Sequence, residues 1–374
     1  MPLADMSASA TDHDFSERAR AFARIHAGEP PKTFAANLSA RVETLQAGEI
    51  TMPVTLSDGG PGDAWVCSPR ATYADCAAEE AERYLPAWMA RGSRGLSKGL
   101  GDWLTGAGID RVAAINNWLL STNLYPPLRT VPLATTIRAA RERWPDHAIW
   151  FRSLNTIDNA DWIAALGELG FQFVVSRQVY LYENLAALSA RHANLKRDLQ
   201  QLGRTSLHRV RDDGIADDDY PRIVRLYELL YIEKYSRFNP HYSAEFMRCW
   251  HKAGLLEFHG FRDASGVLQC VVGLFRQGAT FTSPIVGYDT SLPRQLGLYR
   301  LLTACAYEAT MEKGGRLNFS AGAAQFKRLR GGVPAIEYSA VYARHLPRKL
   351  RNAIGILSLA TRRVGAPLLT KYKL

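Results

Sequence analysis

Two rhythms of apolar and polar residues divide this chain into helices and strands. In the first half, Phe15–Ile25 reads as a helix that Gly28-Glu29-Pro30-Pro31 breaks, and a second helical stretch is expected to run to Gly48. Thr51–Leu56 and Ala64–Cys67 read as short strands around the turn-rich segment 57–63. An alanine- and glutamate-rich helix is expected over Ala74–Met89. Arg111–Leu119 and His147–Arg152 read as strands, and Thr135–Trp144 and Asn159–Leu169 as helices, the latter stopped by Gly170. Phe171–Tyr182 is aromatic and β-branched, as strands tend to be.

The second half has the same grammar. Asn184–Leu202 reads as a basic helix, and Tyr220–Tyr235 as a long one with Tyr227, Tyr231 and Tyr235 on one face. A further helix is expected over Ser243–Ala253, then a hairpin of Leu256–Arg262 and Leu268–Gln277 turning at 263–266. Ala279–Tyr288 is a third strand, Leu298–Lys313 a helix free of glycine and proline, and Gly315–Phe319 and Ile336–Ala343 close the sheet. Strands alternating with helices of this length predict an α/β layer rather than a bundle. The shared order of the halves predicts a helical leader (1–50), two lobes of similar structure (51–183 and 184–345) and a basic amphipathic tail (346–374).

Two segments bracket the helix at Leu298. One is Val286-Gly287-Tyr288-Asp289 followed by Pro293-Arg294-Gln295-Leu296-Gly297-Leu298-Tyr299; the other is Leu317-Asn318-Phe319-Ser320-Ala321-Gly322-Ala323-Ala324-Gln325-Phe326-Lys327-Arg328. The order of strand, glycine loop, helix, strand and lysine-bearing turn resembles the C-terminal half of the GNAT-like acyltransferases. It is most similar to the Fem-type branch, which adds amino acids to peptidoglycan precursors. The resemblance implies an α/β fold of two GNAT-like lobes in tandem, with mixed central sheets flanked by helices. It also implies a coenzyme A pyrophosphate site at Arg294 and Gly297, where unpaired amides and the helix dipole attract phosphate. Tyr299 stands where that pattern has glycine or alanine, so its side chain bears on cofactor access. By the same resemblance Lys327 is the candidate catalytic group, holding a phosphate or stabilising charge on a carbonyl oxygen. A surface lysine beside Arg328 and Arg330 is the plain alternative.

Other candidates come from the residues themselves. Lys234, Arg237 and His241 flank the turn at Asn239-Pro240 and suit an anionic substrate, with His241 also a candidate general base. Tyr288 and Asn318 belong to the two bracketing segments, while Asn123 and Arg152 stand at strand ends of the first half, where ligands of α/β sheets gather. Each asparagine has the alternative of simply fixing a loop. G-x-S-x-G, P-loop and dinucleotide-binding patterns are absent from the sequence.

Composition narrows the class. The chain has 374 residues, 47% hydrophobic and 22% charged, which is the balance of a globular protein. The N-terminus carries acidic residues and no apolar core, and no apolar run reaches bilayer length, so a cytoplasmic location is expected. Five scattered cysteines read as reduced thiols, and nine histidines without ligand spacing predict no metal. The net charge of +10 is concentrated. Eight Lys or Arg and no Asp or Glu follow from Arg344 to Leu374, and Lys196, Arg197, Arg204, His208, Arg209 and Arg211 form a second cluster. Such patches meet nucleic acid, anionic lipid or a phosphate-rich cofactor, or are solvated surface. In the tail, Leu350, Ile354 and Leu357 form an apolar stripe that suits docking on the body or peripheral membrane contact, with Gly365-Ala366-Pro367 as its expected stop.

The expected function is therefore that of an N-acyltransferase, moving an activated acyl group to the amine of a small molecule or peptide. The donor expected from the resemblance is acyl-coenzyme A, with aminoacyl-tRNA the alternative. A non-catalytic binding protein on the same fold is the rival from another class.

Overall fold

Eleven strands make one sheet in the computed structural model, which describes residues 3–60, 62–79 and 87–372. The strands are β1 (Arg41–Ala47), β2 (Ile50–Ser57), β3 (Val112–Ile115), β4 (Ala148–Asn155), β5 (Gln172–Tyr182), β6 (His208–Val210), β7 (Glu257–Arg262), β8 (Leu268–Gln277), β9 (Thr280–Tyr288), β10 (Arg316–Asn318) and β11 (Val333–Tyr342). The helices are α1 (Leu3–His26), α2 (Pro31–Phe34), α3 (Ala87–Ala107), α4 (Leu133–Arg143), α5 (Ala160–Glu168), α6 (Leu185–Arg191) and α7 (Ala193–Gln201) in the first part of the chain. Then come α8 (Tyr220–Leu230), α9 (Ala244–Lys252), α10 (Leu298–Glu312), α11 (Ala324–Arg328), α12 (Arg348–Ala360) and α13 (Ala366–Tyr372).

The strand order β1-β2-β3-β4-β11-β5-β10-β9-β8-β7-β6 contains a duplication. In each half a parallel pair, β3–β4 or β9–β10, is joined by a crossover helix, α4 or α10. Each half then lends its next strand to the other. β11 lies between β4 and β5, and β5 lies between β11 and β10, all antiparallel. Because of this exchange neither half completes its own sheet, and the tandem α/β architecture expected from the sequence appears as one continuous layer.

Burial follows the expected apolar positions. α1 inserts Phe15 and Phe22 against Trp118, and Phe22 also meets Trp250 from the second half. α10 buries Leu301, Leu302 and Cys305 with Val272, Leu274 and Phe281. α12 buries Leu350, Ile354 and Leu357 with Trp150, Val174 and Val341.

Several expectations meet a different structure. The second helical stretch of the leader is instead the turn α2 and the strand β1, which pairs with β2 through the two-residue loop Gly48-Glu49, Gly48 having φ +61°. Ala64–Cys67 forms turns rather than a strand, since Ala64 and Trp65 give their amides to the Asn37 and Phe238 carbonyls of separate loops. His192, extended at φ −107° and ψ 103°, splits the basic helix into α6 and α7. The helix of the tyrosine stripe ends as a π-turn, Tyr231–Tyr235. Of the helix expected over Ala74–Met89, residues 80–86 lie outside the described ones, and 74 and 75 belong to a π-turn. The tail does not stop at Pro367. A π-turn over Thr361–Gly365 leads without a break into α13, the Ala366 amide still bonding the Thr361 carbonyl, so Pro367 sits directly after a widened turn rather than in a regular α-helical interior. Among the described residues no helix is long and apolar enough to cross a membrane, and no group of three or more His, Cys, Asp or Glu is placed to hold a metal. Among the described residues no disulfide is present.

Candidate active site

The two parallel pairs separate where their hydrogen bonding ends. β9 and β10 are paired only from Arg316↔Thr280 to Asn318↔Thr282, after which β9 continues to Tyr288 and β10 turns away. The space so opened is framed by tyrosines. The stripe on α8 and its π-turn stacks Tyr227 on Tyr231 at 4.8 Å and 12°, and Tyr231 contacts Tyr235 at 6.0 Å. Tyr299, from the first turn of α10, contacts Phe326 at 4.9 Å and Tyr288 at 6.1 Å. Burial pushes the Tyr299 phenol well above its ordinary pKa, and the neighbouring Tyr235 and Tyr231 add to the shift. Lys234 extends over the Tyr235 ring and reaches the Tyr288 hydroxyl at 3.4 Å. In β9, at the last position paired with β10, the Thr282 hydroxyl is buried with no partner among the described residues.

Lys327 closes one wall. It is 3% exposed, and its ammonium donates to the carbonyls of Phe319 (2.5 Å), Ser320 (3.2 Å) and Ala321 (2.8 Å). The charge also lies 5.0 Å above the Phe319 ring and 5.7 Å above Tyr180. An ammonium has three donors, so all are spent on this turn. The turn needs the help, since Ser320 and Ala323 take left-handed conformations (φ 55° and 49°) that side chains disfavour. Burial, reinforced by Arg177, pushes the Lys327 pKa well below its usual value. Asn318 acts on the same turn, its side-chain oxygen accepting from the Ser320 amide at 3.0 Å.

The corresponding space beside β3 and β4 is filled. Arg152 donates to Asn117 at 2.9 Å, and Asn123 holds the same Asn117 oxygen at 3.3 Å while accepting from the Trp118 amide. The Trp65 ring carries two guanidiniums, Arg152 and Arg177, each 5.0 Å from its centroid. Arg177 pairs with Glu337 at 2.8 Å across the exchanged strands, and the carboxylate side chain is 1% exposed. Burial, then the Arg177 charge, lowers the Arg152 pKa. Arg152 and Arg177 thus share the buried Glu337 carboxylate, and Lys327 lies near enough to feel the Arg177 charge, so the field of this central network is positive.

The candidates separate into groups. Lys234, Tyr288 and Tyr299 come together at the tyrosine-lined space; Asn318 and Lys327 share the turn beside it; Arg152 and Asn123 belong to the filled first-half network. Asn239 is structural, accepting from Trp65 Nε1 and donating to the Tyr231 and Ser236 carbonyls. His241 and Arg237 join none of these three groups. The His241 ring meets the Arg237 carbonyl at 2.8 Å, and the Arg237 side chain, 76% exposed, lies 3.5 Å from Glu79. Arg294 is exposed, and Gly297 opens α10 with φ +63°. The Gln201 side chain covers that glycine: a Cβ there would lie 2.6 Å from Gln201 Nε2, which points to the Leu296 carbonyl at 3.4 Å. Sequence reasoning missed Arg177, Glu337, Trp65 and Gln201. The one available signal was a charge within each of two apolar strands, Arg177 in β5 and Glu337 in β11.

Comparison with known proteins finds one matching domain and several similar folds. The family model described as Acetyltransferase (GNAT) domain matches residues 189–328, a span that contains both segments bracketing the helix at Leu298. Among solved structures, L-PGS from Bacillus licheniformis is similar over 92% of this chain and 96% of its own, with a TM-score of 0.53 and 9% identity. FemX is similar over 60% of this chain and 79% of its own (TM-score 0.46, 9% identity). A tandem GNAT protein from the clavulanic acid biosynthesis pathway is similar over 62% and 75% (TM-score 0.37, 14% identity). No curated protein matches the chain.

Proposed function

We propose that this chain, whose residues 189–328 match a GNAT acetyltransferase domain, is an enzyme that transfers an aminoacyl group from an ester donor to an amine. The acyl-transfer part rests on the family. The choice of donor rests on one observation, the Gln201 side chain packed on the Gly297 turn. In the GNAT pattern this turn is where a coenzyme A pyrophosphate approaches the backbone. Gln201 together with Tyr299, held among Phe326 and Tyr288, narrows that approach. An ester donor such as aminoacyl-tRNA needs no pyrophosphate site, and the basic segment Lys196–Arg211 suits its phosphates.

In this reading the acceptor amine attacks the ester carbonyl in the tyrosine-lined space. The C–N bond forms, the C–O bond breaks, and the amine proton ends on the leaving oxygen. The protein's part is to orient the reactants and to meet the developing oxyanion. Lys234 and the Tyr288 hydroxyl are the donors at the rim, and Lys327 is a positioning residue that fixes the turn from Phe319 to Ala321.

Titration with coenzyme A and assay with a mixed aminoacyl-tRNA pool test the donor. Coenzyme A is expected not to bind at about 1 mM, a concentration at which binding worth about 4 kcal/mol would show. Deacylation of the tRNA by an added amine mixture is expected to depend on the protein. Micromolar coenzyme A binding, with the tRNA pool left untouched, would overturn the ester reading and restore the thioester.

A further inference from the structure

The C-terminal helices carry a surface that acyl transfer does not use. α12 and the π-turn after it lie along β5, where Ser358 Oγ donates to the Phe173 carbonyl at 2.7 Å and Thr361 Oγ1 accepts from the Val175 amide at 3.1 Å. Leu350, Ala353, Ile354 and Leu357 are buried beneath the helix. Its outward line bears Ile356 and Leu359, 55% and 52% exposed, and the following turn bears Val364, 58% exposed. Residues 356 and 359 are one turn apart and share a face. Arg362 and Arg363 are exposed beside them and, with Leu359, Ser358 and Gln172, line a shallow cavity.

One exposed aliphatic residue on a surface helix is ordinary. Three within nine residues, beside paired arginines, ask for a partner that is apolar and anionic together. The charge is one-sided, because the segment from Arg344 to the end has eight Lys or Arg and no carboxylate side chain. We propose that this face of α12 and its π-turn docks on an anionic lipid bilayer. Ile356, Leu359 and Val364 enter the boundary between headgroups and acyl chains, while Arg362 and Arg363 take lipid phosphates. Nucleic acid would engage the arginines and leave the aliphatic side chains in water. A second copy would bring two positive surfaces together. The surface contributes no group to the tyrosine-lined space, so the proposal stands independently of the donor reading.

Sedimentation of the full chain with vesicles tests it, using equal parts phosphatidylglycerol and phosphatidylcholine against phosphatidylcholine alone. The protein is expected to pellet with the anionic vesicles at about 10 mM salt, where the screening length is roughly 30 Å, and to be released near 1 M, where it is roughly 3 Å. Neutral vesicles should leave it in solution. The triple variant I356N/L359N/V364N alters exposed positions only, and its fold is checked by circular dichroism. It should partition at least about tenfold more weakly. R362Q/R363Q should lose roughly fivefold per charge. Absence of pelleting with anionic vesicles at low salt would overturn the proposal. So would pelleting that the triple variant does not weaken, which marks bare electrostatic adsorption of the kind nucleic acid shares. Loss of self-association by that variant in light scattering, without change in vesicle binding, would assign the face to a second copy instead.

Discussion

The β3–β4 and β9–β10 pairs open into spaces of the same topology, yet one is packed shut and the other is lined for contact. Beside β4, Arg152 is held by Asn117, Asn117 by Asn123, and the Trp65 ring lies against two guanidiniums. Beside β9, the walls are Tyr231, Tyr235, Tyr288 and Tyr299, with Lys234 at the rim and an unpartnered Thr282 where the strand pairing ends. A duplicated fold needs only one working cleft. The other copy can be given over to a rigid, positively charged floor that the strand exchange places beside the first. The residue joining the two is Arg177, which lies on the Trp65 ring and whose charge adds to the burial that lowers the Lys327 pKa.

The largest effect is expected where the halves are bound together. Removing the carboxylate in Glu337→Ala leaves Arg177 in a largely buried site without its counter-ion, a change that costs about 3–5 kcal/mol in comparable pairs. Denaturant unfolding should show a midpoint lowered accordingly. The double variant Arg177→Met/Glu337→Leu should recover much of the loss, because neither charge is then stranded. A single variant as stable as the parent would mean that the exchanged strands are held by packing alone.

Next in size is the turn. Lys327→Met keeps the buried length of the side chain and removes the three donors to Phe319, Ser320 and Ala321. Turnover should fall more than tenfold, about 1.4 kcal/mol of transition-state stabilisation. As a positioning residue it should lower kcat with KM little changed. Unaltered kcat in folded protein would confine Lys327 to stability and leave the open space without this wall's help.

How far the sequence disclosed this contrast depends on distance along the chain. The glycine loop, α10 and the lysine turn are contiguous, so strand, helix and turn signals placed them and Lys327 correctly beside one another. Arg177 and Glu337 are apart by 160 residues, and only the strand exchange puts them in register. No local pattern encodes that exchange. α3 was passed over because glycines recur through Gly92, Gly95, Gly99, Gly101 and Gly106, each lowering helix propensity, while α12 covers it from outside with tertiary contacts. Asn239, Arg237 and His241 form a polar turn that looks like a binding loop. In the structure, Asn239 spends its hydrogen bonds on Trp65 and on carbonyls of its own turn. The same polarity serves folding or binding, and which one applies depends on partners distant in sequence.

A smaller effect is tied to pH at the joint between α1 and α9. Burial holds the His26 pKa down to about 3, and its Nε2 accepts from Trp250 Nε1 at 3.3 Å. The unfolded chain protonates this histidine near its ordinary 6.5, whereas the folded chain resists until about 3. Unfolding therefore takes up a proton between those values, and stability is lost as pH falls from about 6.5 towards 3. His26→Gln retains an acceptor without the titration. Its stability should fall less steeply over the upper part of that window, near pH 6.5 to 5, before carboxylates dominate. Parallel curves for the two proteins would show that His26 protonates freely in the fold.

The smallest effect discriminates most finely between the two spaces. Thr282 is fully buried in β9, and Ser153 is 2% exposed in β4; both hydroxyls lack a partner among the described residues. An unsatisfied buried hydroxyl costs the folded state free energy, so Thr282→Val, nearly isosteric, should leave stability unchanged or raise it by up to about 1 kcal/mol. If the Thr282 hydroxyl is reserved for a substrate atom, the same change should raise KM severalfold. Ser153→Ala removes an unpartnered buried hydroxyl from β4 in the first half while keeping the left-handed backbone (φ 66°), and should leave both kcat and KM as they were. A KM raised equally by both variants would mean that the first-half space also receives substrate, and that Arg152 and Asn123 belong to binding after all. A KM moved by neither would place the substrate nearer the rim, at Lys234 and Tyr288.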